Sequence, residues 1–436
     1  MNEHKKEFDV VVIGAGPAGL AAAYVLAKAG INVIVFEKGE YPGSKNVMGG
    51  VLYSNAMEKL VPEFYKEAKV ERNIIEQNMW LLGDNSLTKI GHKNKTWVEK
   101  PNAFTVLRAN FDRWFASKVE AAGALIIPKT KVEDFLRDGS GKIVGVRTTR
   151  PNGDVYAKAV IIAEGVNPIL TMKAGLRDKD LKSNMAAIAV KELIEMPEEV
   201  INDRFNVTSD QGATIELLGS WSKGLFGLAF IYTNRKTVSV GCGVFIEDIK
   251  KSGMKPYELL ESLKNHPAVK DLLGEEPKVM EYMAHLIPEG GYHAMPRFYD
   301  DNVLACGDAA MMVNSIHREG SNYALTSGRF AAETLIEAFD RGDFSKRTLK
   351  IYEEKLRESF IIKDLLKYKD LPRTLEKNPQ LVQVYPDLVN DAFGKFLTVD
   401  GTSKWDLQKE IIDEVRRRRG IIPMVNDLFK LWKAVR

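Results

Sequence analysis

Hydrophobic and polar positions follow three different rhythms along the chain, and each predicts a different part of the fold. Near the start, Val10 to Ile13 form an unbroken β-branched run; a glycine turn, an alanine-rich stretch from about Pro17 to Ala29, and Gly30 come next. A second run, Val33 to Phe36, closes on Glu37. Short apolar runs flanking one helix-forming stretch predict a strand–helix–strand unit whose parallel strands are buried on both faces. The helical pattern around Phe111 to Ala122 and the apolar strands Ala159 to Ala163 and Val303 to Cys306 extend the same sheet.

Between these pieces the rhythm shortens. Ala187 to Ile194, Thr214 to Leu218, Leu225 to Tyr232 and Thr237 to Phe245 read as antiparallel strands inserted into the nucleotide-binding fold. From about Asp343 the chain turns lysine-rich and helical, with expected breaks at Pro372, Pro379, Pro386 and Pro423. The predicted class is α/β: a Rossmann-like parallel-sheet domain from residues 1–75, 105–175 and 288–340, an antiparallel-sheet substrate domain from 76–104 and 176–287, and a helical C-terminal region, 341–436, for partner or membrane contact.

Composition changes this picture mainly by exclusion. A chain of 436 residues exceeds what one core normally fills, which agrees with several packed regions. A formal charge of +3 is too small to point to nucleic acid, and no nucleic-acid partner is expected. Cys242 and Cys306 are the only cysteines, too few for the four thiolates of an iron–sulfur cluster, so none is expected on this chain. Lys5 and Lys6 before the uncharged run Val10 to Ala27 imitate a signal peptide or a spanning helix; the glycines and proline inside the run fit a phosphate-binding turn better. The expected location is the cytoplasmic side, with membrane contact limited to the surface.

The candidate chemistry begins with Gly14, Ala15, Gly16, Pro17, Ala18 and Gly19. The glycines serve a tight turn, close approach of a pyrophosphate and helix-on-strand packing, while the following helix offers free N–H groups to an anion. Glu37, followed by Lys38, closes the second strand, where a carboxylate accepts hydrogen bonds from ribose hydroxyls and repels a 2′-phosphate. Two distant strand ends separate the dinucleotide candidates: Ala163, Glu164 and Gly165, and the run LACGDAA containing Gly307 and Asp308.

With these motifs the sequence resembles the large family of FAD enzymes related to aromatic hydroxylases, geranylgeranyl reductases and electron-transfer-flavoprotein:quinone oxidoreductases. VLRANFDRWFASKVEAAGA (106–124), AVKELIEMP (189–197), LIPEGGYHAMP (286–296) and REGSNYALTSGRFAAE (318–333) are most similar to its FixC branch. The resemblance implies non-covalent FAD, with Arg108 reaching the cofactor and Asp308 accepting from the ribityl and pyrophosphate region. Asp308 as a helix N-cap is a second, compatible reading. Gly49 and Gly50 would run along the cofactor or simply form a turn. Gly320, Ser321 and Asn322 open a helix whose N–H groups suit negative charge on a reduced flavin, although ordinary helix-start duty explains them too. Glu289, Tyr292 and His293 are candidate catalytic residues near flavin and quinone; a surface or structural role for His293 is an equal alternative, as it is for His285 and His317.

By the same resemblance, the partners are FixA- and FixB-like subunits of an electron-transfer flavoprotein, a FixX-like ferredoxin subunit carrying the cluster, and a membrane quinone. The chain would form the quinone branch of NADH-driven electron bifurcation to ferredoxin or flavodoxin. Three rivals remain open on sequence: a stand-alone isoprenoid reductase, a flavin monooxygenase and a non-catalytic assembly subunit. Arg416 to Arg419, followed by Ile421, Ile422, Met424, Val425, Leu428, Phe429, Leu431 and Trp432, suit either an anionic bilayer surface or a helix docked on protein.

Overall fold

The computed structural model describes residues 7–45, 50–314 and 316–436. The chain divides into two compact units: one holds residues up to Glu71, Asn102–Ala186 and His285–Leu366, the other Arg72–Pro101, Ala187–Ala284 and Lys367–Arg436.

The first unit is built on five parallel strands in the order Val303–Ala305, Asp154–Ile162, Glu7–Ile13, Val33–Phe36, Leu125–Ile127. Val10 pairs with Val33 and Ala159, and Ile13 with Phe36 and Ile162, so the apolar runs lie side by side at the sheet centre. A hairpin, Val132–Arg137 and Ile143–Thr148, adds antiparallel to the start of the Asp154–Ile162 strand. The helix Pro17–Lys28 opens with proline in its first turn, where a missing N–H costs nothing, and ends as Gly30 takes φ +77°. It packs on the helix Ser321–Arg341 at backbone contact distance. A Cβ at Gly328 would collide with the Ala18 carbonyl, so a glycine is required at that crossing.

In the second unit, Ala186–Glu195, Thr237–Phe245, Gly227–Thr233 and Gln211–Gly219 pair antiparallel in that order. Gln211–Gly219 then runs parallel to Arg72–Leu82, which forms a hairpin with Leu87–Lys93. One sheet face buries Ile194, Ile215, Leu217, Ile231, Val238 and Val240 together with Leu259, Leu260 and Leu263 of the helix Pro256–Lys264. Arg72 is buried at one end of this sheet. Its guanidinium donates to Asn202 Oδ1 (2.7 Å) and to the carbonyls of Asn234 (2.6 Å), Thr208, Gln211 and Arg235, which satisfies a charge that burial would otherwise penalise.

The tail folds as four helices of the second unit: Leu371–Lys377, Gln380–Leu397, Lys404–Arg418 and Ile421–Val435. Pro386 does not break its helix as expected from sequence. The Asn390 amide donates to the Pro386 carbonyl (2.9 Å) and to the Leu81 carbonyl (2.9 Å), tying the turn after the proline to the sheet. Pro372 and Pro423 sit in first turns, where proline is tolerated.

The last helix is inside out. Asp427 and Ala434 are its buried residues, whereas Ile422 is 83% exposed and Leu428 65%. The Asp427 carboxylate accepts two hydrogen bonds from Arg419 (2.7 and 2.9 Å), one from Tyr385 (2.9 Å) and one from Gln380 (3.0 Å). That polar knot holds Asp427 inward while Ile421, Ile422, Val425, Leu428, Phe429 and Trp432 are left exposed. No helix among the described residues is long and apolar enough to cross a membrane.

Candidate functional site

In the first unit the glycine turn leaves the first strand in a conformation that only glycine adopts easily. Gly14 has φ +102°, its N–H donates to the Phe36 carbonyl (2.8 Å), and a Cβ there would run into the Ala163 carbonyl. Gly19 meets the Gly14 carbonyl in the same way. The strand ends at Ile13, Phe36 and Ile162 thus lie side by side next to a turn in which neither Gly14 nor Gly19 has room for a Cβ. Glu37 closes the arrangement: its carboxylate accepts from the Ala15 N–H (2.9 Å) and the Gly39 N–H (2.5 Å). Two backbone donors fix its orientation beside the helix N-terminus.

Glu164 is committed locally. Its carboxylate accepts from the N–H groups of Leu170 (2.8 Å) and Thr171 (2.7 Å) and from the Thr171 hydroxyl, capping the helix Ile169–Lys173. Burial raises its pKa against those hydrogen bonds and the nearby Lys38 charge. At Ala163 to Gly165 the segment therefore offers backbone, with Gly165 at φ +83°, rather than a carboxylate.

Arg108 opens the helix Arg108–Ala121 and is clamped by Asp112 one turn on, Nε to Oδ1 and Nη2 to Oδ2, both 2.8 Å. Burial opposes the guanidinium charge, but Asp112 outweighs it and the pKa rises; Asp308 adds to the effect. Asp308 lies in the turn Gly307–Ala310, where burial pushes its carboxyl up to about 6 and Arg108 offsets part of the cost. His285 shares this electrostatic neighbourhood. Burial lowers its pKa, and the charges of Arg108 and Lys38 lower it further. Gly307 has φ +64°, its N–H donates to Ser327 Oγ (3.0 Å), and a Cβ on it would press on Ala18 at 2.9 Å.

Gly320, Ser321 and Asn322 begin the long helix Ser321–Arg341. Asn322 is buried; its amide donates to Glu319 Oε1 (3.1 Å), which leaves Oδ1 without a donor among the described residues. A buried acceptor with no protein partner calls for an N–H or O–H from elsewhere. Gly50 is half-buried ahead of the strand Val51–Tyr53, whereas Gly49 lies outside the described residues.

The structure places the three candidate catalytic residues on one turn with unlike surroundings. The Glu289 N–H donates to the Met185 carbonyl (2.8 Å), and Tyr292 bonds Arg357 at a cleft also lined by Tyr299 and Glu353. His293 is exposed, edge-on to the Tyr292 ring. His285, on the strand Val279–Pro288, is the histidine near Arg108 and Lys38, and only the fold reveals that proximity. Asp112, Ser327 and Gly328 were also invisible as site residues in the sequence. Only the i,i+4 spacing of Arg108 and Asp112 hints at their contact.

The FAD binding domain profile matches residues 7–361, and that of the ETF-QO/FixC family C-terminal domain matches 371–436. Protein FixC of Azorhizobium caulinodans is 44% identical over 99% of both chains. This chain belongs to the FixC family. Another relative, 35% identical over 97% of this chain and 98% of its own, is a probable electron transfer flavoprotein-quinone oxidoreductase of Escherichia coli. Among solved structures, a geranylgeranyl bacteriochlorophyll reductase-like protein of Thermoplasma acidophilum shares the fold, with TM-score 0.72, 21% identity and coverage of 95% of this chain and 99% of that one. The FixC family chain is therefore an FAD-binding oxidoreductase. Its first unit fits FAD on physical grounds: a turn with no room for a side chain at Gly14 or Gly19, an oriented carboxylate after the second strand, and a buried acceptor at a helix N-terminus without a donor among the described residues. Cys242 and Cys306 are both buried, and burial pushes their thiols up to about 12, so neither is a ready thiolate at neutral pH.

Proposed function

We propose that this protein is the quinone-reducing subunit of an electron-transfer flavoprotein complex, accepting electrons from FixA- and FixB-like subunits, with a FixX-like ferredoxin subunit, and passing them to a membrane quinone. In this reading it forms the high-potential branch of NADH-driven electron bifurcation to ferredoxin or flavodoxin. The observation that supports it best is the continuity of the FixC likeness through both units, terminal helices included.

Bound FAD supplies exchange of electrons one or two at a time. The chain's own residues bind and orient it. The Gly14–Gly19 turn and the helix after it receive the pyrophosphate, Glu37 the ribose hydroxyls, and Arg108 with Asp308 the chain between pyrophosphate and flavin. Ser321 and Asn322 present N–H groups and one free acceptor to the ring's polar edge. Lys38 and the backbone at Ala163–Gly165 and Gly50 complete the lining. Glu289, Tyr292 and His293 are the proposed proton-handling residues near the quinone, and His285 joins them because its suppressed pKa favours the neutral imidazole.

The terminal helix supports a peripheral attachment to the cytoplasmic face of the membrane. Its outward stripe of Ile421, Ile422, Val425, Leu428, Phe429 and Trp432 is preceded by Arg416 to Arg419, the pattern of a helix lying on an anionic bilayer.

The test is the visible flavin spectrum recorded anaerobically, first with NADH alone, then with the electron-transfer flavoprotein, the cluster protein and a quinone analogue. Reduction that needs the partners, followed by reoxidation on adding quinone, is the expected result. Bleaching by NADH alone would replace this reading with a stand-alone enzyme.

A further inference from the structure

We propose that Asp112 is a positioning residue for FAD: it sets the Arg108 guanidinium in the orientation that meets the cofactor. The inference rests on the reading of Arg108 as an FAD ligand. Asp112 is itself nearly sealed from solvent, with a side chain 1% exposed beside the 9% of Arg108. Its two oxygens take up the Nε and Nη2 edge of the guanidinium in a bidentate pair, which fixes the plane of the fork as well as its position. With Nε and Nη2 committed in this way, the plane in which the guanidinium is presented is decided by Asp112.

The same carboxylate stands at a junction. The loop after the ribose acid crosses the start of the Arg108–Ala121 helix at Gly43, which has φ +91°; a Cβ there would lie 2.7 Å from the Arg108 carbonyl and 2.8 Å from the Asp112 Cβ. Two residues earlier, the Tyr41 ring lies 4.1 Å from the Arg113 guanidinium. The segment that begins at Glu37 and the helix that carries Arg108 are thus packed closely together, with Asp112 at the contact. Asp308, the other acid near Arg108, acts on it through charge, whereas Asp112 makes the directional bonds. Both carboxylates favour the charged guanidinium, Asp112 more strongly, and Asp112 alone of the two bonds it directionally.

The experiment is a cycle of four full-length proteins, wild type, R108A, D112N and R108A/D112N, each stripped of FAD and titrated with it by flavin fluorescence, with the thermal midpoint of each apoprotein measured alongside. R108A and D112N are each expected to weaken FAD on the order of tenfold or more, as loss of a group that orients a ligand contact does. D112N added to R108A is expected to change the affinity less than about twofold, because the effect of Asp112 on FAD runs through the Arg108 fork. Equal losses from D112N in both backgrounds would mean a general structural role and overturn the proposal, as would wild-type affinity in D112N. Wild-type affinity in R108A would instead remove the Arg108 assignment on which it rests. Should D112N fail to fold, D112E keeps the charge pair but shifts the fork; weaker FAD binding at an unchanged apoprotein midpoint supports the proposal, and unchanged binding overturns it.

Discussion

Replacing Asp308 with asparagine separates what this carboxylate costs the fold from what it does for the cofactor. Burial carries its carboxyl from an ordinary 3.8 to about 6. Holding the charged form at neutral pH therefore costs the apoprotein about 3 kcal/mol at 25 °C. Asp308 is half-buried, and water at its rim trims the figure to about 2 kcal/mol. The sign follows from linkage: a carboxyl raised in the folded state favours folding when protonated, and that advantage is lost as pH rises from about 4 through 6. D308N apoprotein is expected to be about 2 kcal/mol more stable than wild type at pH 7, with the difference shrinking below pH 6 and gone below about pH 4. Urea unfolding of both apoproteins across that range measures it. FAD affinity should move the other way, falling on the order of tenfold at pH 7 with loss of the charged acceptor. A difference in stability that does not vary with pH, or a D308N apoprotein less stable than wild type at pH 7, would refute the reasoning.

Three further outcomes follow from packing. G328A drives a methyl into the Ala18 carbonyl and is expected to cost about 1–3 kcal/mol by urea unfolding, with weakened FAD because the glycine turn moves with its helix. D427A leaves Arg419 and Tyr385 without their shared acceptor and is expected to release the last helix, visible as faster hydrogen exchange across 421–435 and tryptic cleavage at Arg416 to Arg419. Changing Ile422, Leu428 and Phe429 together to glutamate should alter folding stability by less than about 1 kcal/mol, because all three are exposed, yet abolish flotation with vesicles containing anionic lipid. Retained flotation would place the membrane contact elsewhere.

The nucleotide-binding half was readable because each local signal there has one physical meaning. The run Val33 to Phe36 is the observed strand, and the Pro17 helix ends within one residue of its expected end. In the second unit Thr237 to Phe245 also coincides with its strand. The strands Arg72–Leu82 and Leu87–Lys93 were missed because their polar residues, Glu76, Gln77 and Asn78 among them, blur a two-residue period; pairing with Gln211–Gly219 outweighs that weak preference. The last helix shows a different limit. Its apolar stripe was plain in the sequence, but whether the stripe faces protein depended on Asp427, whose partners Gln380 and Tyr385 lie more than forty residues away. Within the candidate site, glycines and acids at strand ends announce themselves, while Asp112, Gly328 and His285 gain meaning only from what the fold sets beside them.

The inverted terminal helix also bears on the energetics of attachment. Many surface-seeking helices are disordered until they find a lipid or a partner, and part of each encounter is then spent on ordering the chain. Here the knot around Asp427 has already done that ordering, at the expense of leaving oily side chains in water. Docking on a second solvent would begin from a rigid, preassembled sole, so attachment and release can be fast and reversible.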